Sequence, residues 1–301
     1  MLRCHAYPES LDFLSIPGPQ LGPRYSIQMN NALNSSLVRK FIMAATGGAL
    51  FLFVVGHLIG NLQVFGPPEL INHYAHFLQS KPLLVWGARL GLLAMVTLHI
   101  ITAAQLTAQN QEARPVGYAG GGAYGAEWKS RYMLMSGVVI AAFILYHLAH
   151  FTVRLSAING VGDFTKLTTV LDGQIVPDVY AMMILGFQVW WVSLFYLIAQ
   201  ALLFIHLGHG LTAMFQSLGF RNHVWVPRVQ FFAKAASIAI FIGYAMIPAS
   251  IYMGVVGAEY TEKAKLQLTS SRNLQIQEAA KEITEMLSRE LKESTKKEVA
   301  K

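Results

Sequence analysis

Charge is what this chain lacks most. Of its 301 residues only 13% are Asp, Glu, Lys or Arg, while 54% are hydrophobic. Soluble domains carry about 25% charged residues, so roughly half of the usual ionic surface is missing. So few charges cannot cover a globular surface of this size in water. That excludes an ordinary soluble enzyme and implies solvation by lipid. Cysteine is nearly absent as well. The single Cys4 excludes a disulfide framework, a thiolate-ligated iron–sulfur cluster and a CxxCH attachment site. A net charge of +7 would suit nucleic acid, but no basic stripe or aromatic-interleaved platform accompanies it, so no nucleic-acid partner is expected.

What is present is five apolar runs, at residues 41–65, 83–108, 132–153, 187–215 and 229–256, each long enough for a helix that crosses a bilayer. Pro248 in the last is a candidate kink. Polar or glycine-rich loops separate the runs, notably 117–125 and 159–178. The chain divides into an irregular extension at 1–36, a five-helix bundle at 37–257 and a charged tail at 258–301. The extension has no apolar stretch of signal-peptide length, and Met29 is an alternative start. Eight of the 16 acidic and 9 of the 23 basic residues fall in 259–301. There Ile276, Ala280, Ile283, Met286, Leu287 and Leu291 recur among the charges as in an amphipathic helix.

Basic residues set an orientation. Arg39, Lys40, Arg114, Lys129, Arg131, Arg221, Arg228 and Lys234 gather at one side, against Lys81, Arg154 and Lys166 at the other. The N-terminus is therefore expected in the cytoplasm and the C-terminus outside.

The five runs contain no Asp or Glu, yet they hold six of the ten histidines: His57, His99, His147, His150, His206 and His209. Ionisable side chains are expensive in a membrane and are kept for function. A proton-driven transporter would be expected to place a carboxylate there, and a retinal protein a lysine deep in its last span. Neutral imidazole without carboxylate suits haem iron. At 1.5 Å rise per residue, His57 and His147 stand about 25 and 24 Å from the cytoplasmic edge, and His99 and His206 both about 16 Å. Two pairs of equal depth on four successive spans are what two stacked bis-histidine haems need. The competing reading is histidine as hydrogen-bonding glue between helices, with glycines such as those at 46–49 serving close packing. Depth alone does not separate His147 from His150, nor His206 from His209.

The stretches GHLIGNLQVF around His57, NHYAHFLQSKP around His76, TLHIITAAQL around His99, SRYMLMSG after the loop between the second and third runs, LYHLAHFTVR around His147 and IHLGHGL around His206 resemble, in order and spacing, the di-haem cytochrome b subunit of bacterial succinate dehydrogenases and quinol:fumarate reductases of the five-helix type. The resemblance covers roughly residues 35–256. It implies an all-α five-helix membrane bundle binding two b-type haems, with His57, His99, His147 and His206 as the iron ligands. It pairs the first span with the third and the second with the fourth, and it prefers His147 to His150 and His206 to His209. It further implies a flavoprotein subunit carrying FAD, an iron–sulfur subunit docked on the cytoplasmic face, and menaquinone as electron acceptor, in a bacterial cytoplasmic membrane. The chain itself would be a non-flavin subunit of a succinate:quinone oxidoreductase.

His150, His209 and Arg89 are then candidates for propionate or hydrogen-bonding partners of the haems. Glu69, His73 and His76 in the outer loop, and Ser130 and Arg131 on the other side, are candidates for quinone contact, and His223 in the cytoplasmic loop is a candidate for quinone or propionate contact. Members acting as fumarate reductases carry a glutamate two residues before the fourth-span ligand; here that position is Phe204, which cannot relay a proton and favours succinate oxidation. The alternatives are a haem b subunit of a hydrogenase or formate dehydrogenase, and a haem-free transporter or assembly protein.

Overall fold

A computed structural model of the protein describes residues 35–113 and 133–299, with side chains up to residue 289. Most of the N-terminal extension, the 117–125 loop, Ser130 and Arg131 lie outside the described residues. The described residues are 83% helical. In chain order its helices are α1 (Ser36–Asn61), α2 (Pro68–Gln79), α3 (Pro82–Glu112), α4 (Met133–His147), α5 (Val179–Gln188), α6 (Trp190–Ser217), α7 (Trp225–Tyr252) and α8 (Ala258–Val299). Five of them, α1, α3, α4 with its continuation to Thr152, α6 and α7, are long and apolar enough to cross a membrane. The protein is a multi-pass all-α bundle.

Local chemistry accounts for the helix starts. The Ser35 hydroxyl accepts from Leu37 N at 3.3 Å and caps α1. Pro68 and Pro82 open α2 and α3, where a missing N–H costs nothing. Several helices overrun their apolar runs; α3, for instance, continues to Glu112. Backbone hydrogen bonding carries on after the last lipid-facing side chain. The fourth run proves to be two elements, because Val189 is extended (φ −75°, ψ 112°) and assigns Phe187 and Gln188 to α5. α7 passes through the buried Pro248 without ending.

The 159–178 segment, expected as a polar loop, contains a hairpin. Strands β1 (Thr168–Leu171) and β2 (Gln174–Pro177) pair antiparallel with Leu171 opposite Gln174. The two turn residues, Asp172 (φ 48°) and Gly173 (φ 79°), both have positive φ, as a two-residue Asp-Gly turn of the right twist requires. His73 and His76, expected in a loop, lie on α2. The hairpin, α2, α5 and the start of α8 gather at one end of the bundle, called here the capped end, where α1 and α4 finish and α3 and α6 begin.

The dense core sits at this end. α5 buries every residue from Tyr180 to Phe187, as a helix apolar all round must. Ile184 and Phe187 pack with Val64, Ile71, Tyr196, Ile247 and Ile251. Ala181, Met182 and Leu185 pack with Phe164, Leu167 and Ala264. The tail joins this core through Gly257, whose φ is +75° and whose Cα lies against Ile184, itself fully buried. A Cβ there would collide with the Ile184 side chain. Gly257→Ala should therefore lower stability by about 2–5 kcal/mol, from a left-handed non-glycine residue and core overpacking together. A thermal melt in detergent checks this, and an unchanged midpoint would refute the close packing.

Candidate functional site

Towards the middle of the bundle, four helices bring four histidines together two by two. His57 of α1 faces His147 of α4, with ring centroids 5.7 Å apart and planes at 84°. His99 of α3 faces His206 of α6 at 6.4 Å and 61°. These are the two pairs of equal depth. Two imidazoles ligating one metal ion from opposite sides, each through a metal–nitrogen bond of about 2 Å, place their centroids about 6 Å apart. Among the described residues no group of three or more His, Cys, Asp or Glu converges on a metal position. A two-imidazole site suits an ion whose other ligands come from a macrocycle.

The His99/His206 pair is seated twice in the same way. His99 Nδ1 lies 3.1 Å from the Thr46 hydroxyl of α1, and His206 Nδ1 lies 3.2 Å from the Ser136 hydroxyl of α4. Both hydroxyls are buried, and each gives its single proton to its own helix. Thr46 Oγ1 donates to the Ile42 carbonyl at 2.8 Å, and Ser136 Oγ donates to the Met133 carbonyl at 3.0 Å. With that proton committed, the hydroxyl oxygen can only accept from the imidazole. That direction would make both rings Nδ1–H tautomers with a bare Nε2, the form in which histidine ligates a metal.

The residue after each hydroxyl is glycine. A Cβ on Gly47 would stand 3.3 Å from His99 Cε1, and one on Gly137 would stand 3.5 Å from His206 Cε1. Hydroxyl and glycine thus form a seat, Thr46–Gly47 for one ring and Ser136–Gly137 for the other. Within the 46–49 stretch, expected to serve helix packing, Thr46 and Gly47 face an imidazole.

Glycines near the histidines in sequence behave differently. Gly60 backs onto the Tyr74 ring and Gly208 approaches the Ser237 hydroxyl, so both serve helix contact. Gly56 and Gly210 meet no neighbour within 4 Å of an added Cβ.

The His57/His147 pair lies nearer the capped end. His57 stacks on Phe53 at 5.3 Å and 17°, and Tyr244, whose hydroxyl donates to the Val54 carbonyl at 2.8 Å, lies 6.3 Å away. His147 Nδ1 is 3.1 Å from the Tyr196 hydroxyl of α6. The helix then widens into a π turn at Leu148–Thr152, a feature common at functional positions. That turn carries His150 to the same hydroxyl, with Nδ1 at 3.0 Å. His150 is 0% exposed.

The remaining candidates stand apart from the two pairs. His209 is half-buried on α6, one turn beyond His206. Arg89 is exposed, with its guanidinium 5.1 Å over the Trp86 ring of its own helix. His73 approaches Asp172 of the hairpin turn at 3.8 Å, while Glu69 is exposed and His76 half-buried on α2. His223 is exposed between α6 and α7. Phe204 packs against Phe241 of α7, with centroids 5.8 Å apart.

Sequence reasoning missed a buried polar node at the capped end. Asp178, 1% exposed, caps α5 by accepting from Ala181 N at 2.9 Å. The same oxygen accepts from Asn72 Nδ2 at 3.0 Å, and its other oxygen accepts from the Tyr260 hydroxyl at 2.6 Å. Asn72 Oδ1 in turn accepts from Tyr180 N at 3.0 Å. Burial first, and then the hydrogen bond to Asp178, push the Tyr260 phenol well above its ordinary value. The node ties α2, α5 and α8 into one cap. An Asp directly before an apolar helical run was its only signal in the sequence.

No protein-family model, curated protein or solved structure matches this chain. A functional assignment accordingly stands on the histidine geometry and the motif spacing.

Proposed function

We propose that this chain is the membrane-anchor cytochrome b subunit of a respiratory succinate:menaquinone oxidoreductase, holding one haem b between His57 and His147 and a second between His99 and His206. The observation that carries the reading is the pair of opposed imidazoles repeated on four successive spans, one pair with both Nδ1 atoms against the buried hydroxyls of Thr46 and Ser136. Two haems so held would supply one-electron carriers at two depths between an iron–sulfur subunit on one face and menaquinone towards the other.

The protein's own part is positional. Four helices fix the ring separations, hydroxyls hold the Nδ1 protons, and bulky apolar side chains keep water from the imidazoles. Histidine without intramembrane carboxylate suits electron transfer better than proton relay, and Phe204 closes the position at which a relay would need an acid. Arg39, Lys40, Arg221 and Arg228 at the end opposite the cap support a cytoplasmic side there, where the flavoprotein and iron–sulfur subunits would dock. The capped end, with α8, then faces outward in a bacterial cytoplasmic membrane, and α2 with Glu69, His73 and His76 is the segment proposed for menaquinone contact.

The deciding experiment is haem extraction from the purified chain followed by a redox titration of membranes supplied with succinate. Two haem b per chain, both reduced by succinate, are expected. A chain without haem would overturn the reading, and two haems that succinate leaves oxidised would move the chain to another oxidoreductase.

A further inference from the structure

His150 is the buried group that ligation leaves unused. It sits in an aromatic box, its ring centroid 4.0 Å from that of Phe151, 5.6 Å from Tyr146 and 5.7 Å from Phe164. One nitrogen, Nδ1, reaches the Tyr196 hydroxyl. The other, Nε2, has no hydrogen-bond partner and faces Gly186, where an added Cβ would stand 3.2 Å from it. Leaving a buried polar nitrogen unpaired costs about 1–3 kcal/mol. A histidine kept there at that cost, by a π turn and a glycine that make room for it, calls for a role.

Tyr196 defines one. Its hydroxyl touches two Nδ1 atoms, at 3.1 and 3.0 Å, but it has one proton, so it accepts from one ring and donates to the other. Thr46 and Ser136 spend their protons on helix carbonyls; Tyr196 has only the two imidazoles to choose between. If it donated to His147, that ring would carry its proton on Nε2 and could not ligate. If it donates to His150, His147 keeps its Nδ1 proton and presents a bare Nε2.

We propose that Tyr196 and His150 are positioning residues for His147, forming a one-way chain in which His147 Nδ1–H donates to the Tyr196 oxygen and Tyr196 O–H donates to His150 Nδ1. The proposal rests on His147 being an iron ligand. His150 is then the Nε2–H tautomer and holds the phenol proton away from His147. An oxygen that is itself donating is a stronger acceptor, so the chain draws the Nδ1 proton and leaves more electron density on the ligating nitrogen. This favours the oxidised state of the group bound by His57 and His147, and it lowers that group's potential. His57 has no such partner among the described residues, so the effect would enter through His147 alone.

The test is a redox titration of the purified two-haem protein without succinate, following the two haem bands separately and recording low-spin EPR spectra. Tyr196→Phe should raise the midpoint of one haem, shift its EPR signature and leave the other haem unchanged. His150→Phe, which fills the same box without an acceptor, should move the same haem in the same direction. His150→Asn, whose amide oxygen can stand where Nδ1 stands, should restore the wild-type midpoint. Thr46→Val should move only the other haem. If Tyr196→Phe does not retain its haem, the His150→Phe and His150→Asn pair decides. Two haems with unmoved midpoints in Tyr196→Phe or His150→Phe would overturn the proposal while leaving the assigned function intact. A wild-type chain without haem would overturn that assignment first.

Discussion

His206→Ala is expected to halve the haem content, from two groups per chain to one. On the proposed assignment His206 is one of two protein ligands to its haem. His209, a turn further along α6, lacks the Ser136–Gly137 seat that holds His206. The remaining group, between His57 and His147, draws on α1 and α4 and shares no ligand with the lost one. Pyridine haemochrome quantification against protein concentration reads the ratio directly. His209→Ala is the companion, expected to keep both haems. Two haems in His206→Ala, or one in His209→Ala, would reverse the ligand assignment on α6.

Asp178→Ala is expected to free the tail from the bundle, with a stability loss of several kcal/mol, about 1–3 for each buried donor left unpaired. Three donors lose their acceptor together: Asn72 Nδ2, Ala181 N and the Tyr260 hydroxyl. Asp178→Asn keeps one oxygen and should cost less. The readouts are limited proteolysis within α8 and a thermal melt. Cleavage of α8 at the wild-type rate would show that the apolar contacts of Ala264 and Leu268 hold the tail unaided.

The same node gives a pH dependence. The Tyr260 phenol is raised in the folded state, so its contribution is complete below the ordinary tyrosine value of about 10 and is lost as pH rises above it. Release of α8 should accelerate on the alkaline side, and Tyr260→Phe should remove that acceleration.

Five spans, their approximate limits and the two histidine pairs were legible in the sequence for one physical reason. In a membrane both apolar length and ionisable groups are strongly constrained, so a run without carboxylates makes each histidine conspicuous, and helical rise converts numbering into depth. Even so, periodicity could not separate α5 from α6 at Val189, because both are apolar. The Asp172–Gly173 turn was a readable hairpin signal within a segment taken for loop.

The seats behind the imidazoles were decided only by tertiary structure. Thr46–Gly47 and Ser136–Gly137 look like ordinary small-residue packing pairs until neighbouring helices bring His99 and His206 against them. His150 and Tyr196 lie 46 residues apart and meet only because a π turn rotates one towards the other. Composition and spacing determined that this is a five-span protein with histidines paired by depth. Which nitrogen each ring presents depends on hydrogen bonds between helices distant in sequence, and those exist only once the bundle has packed.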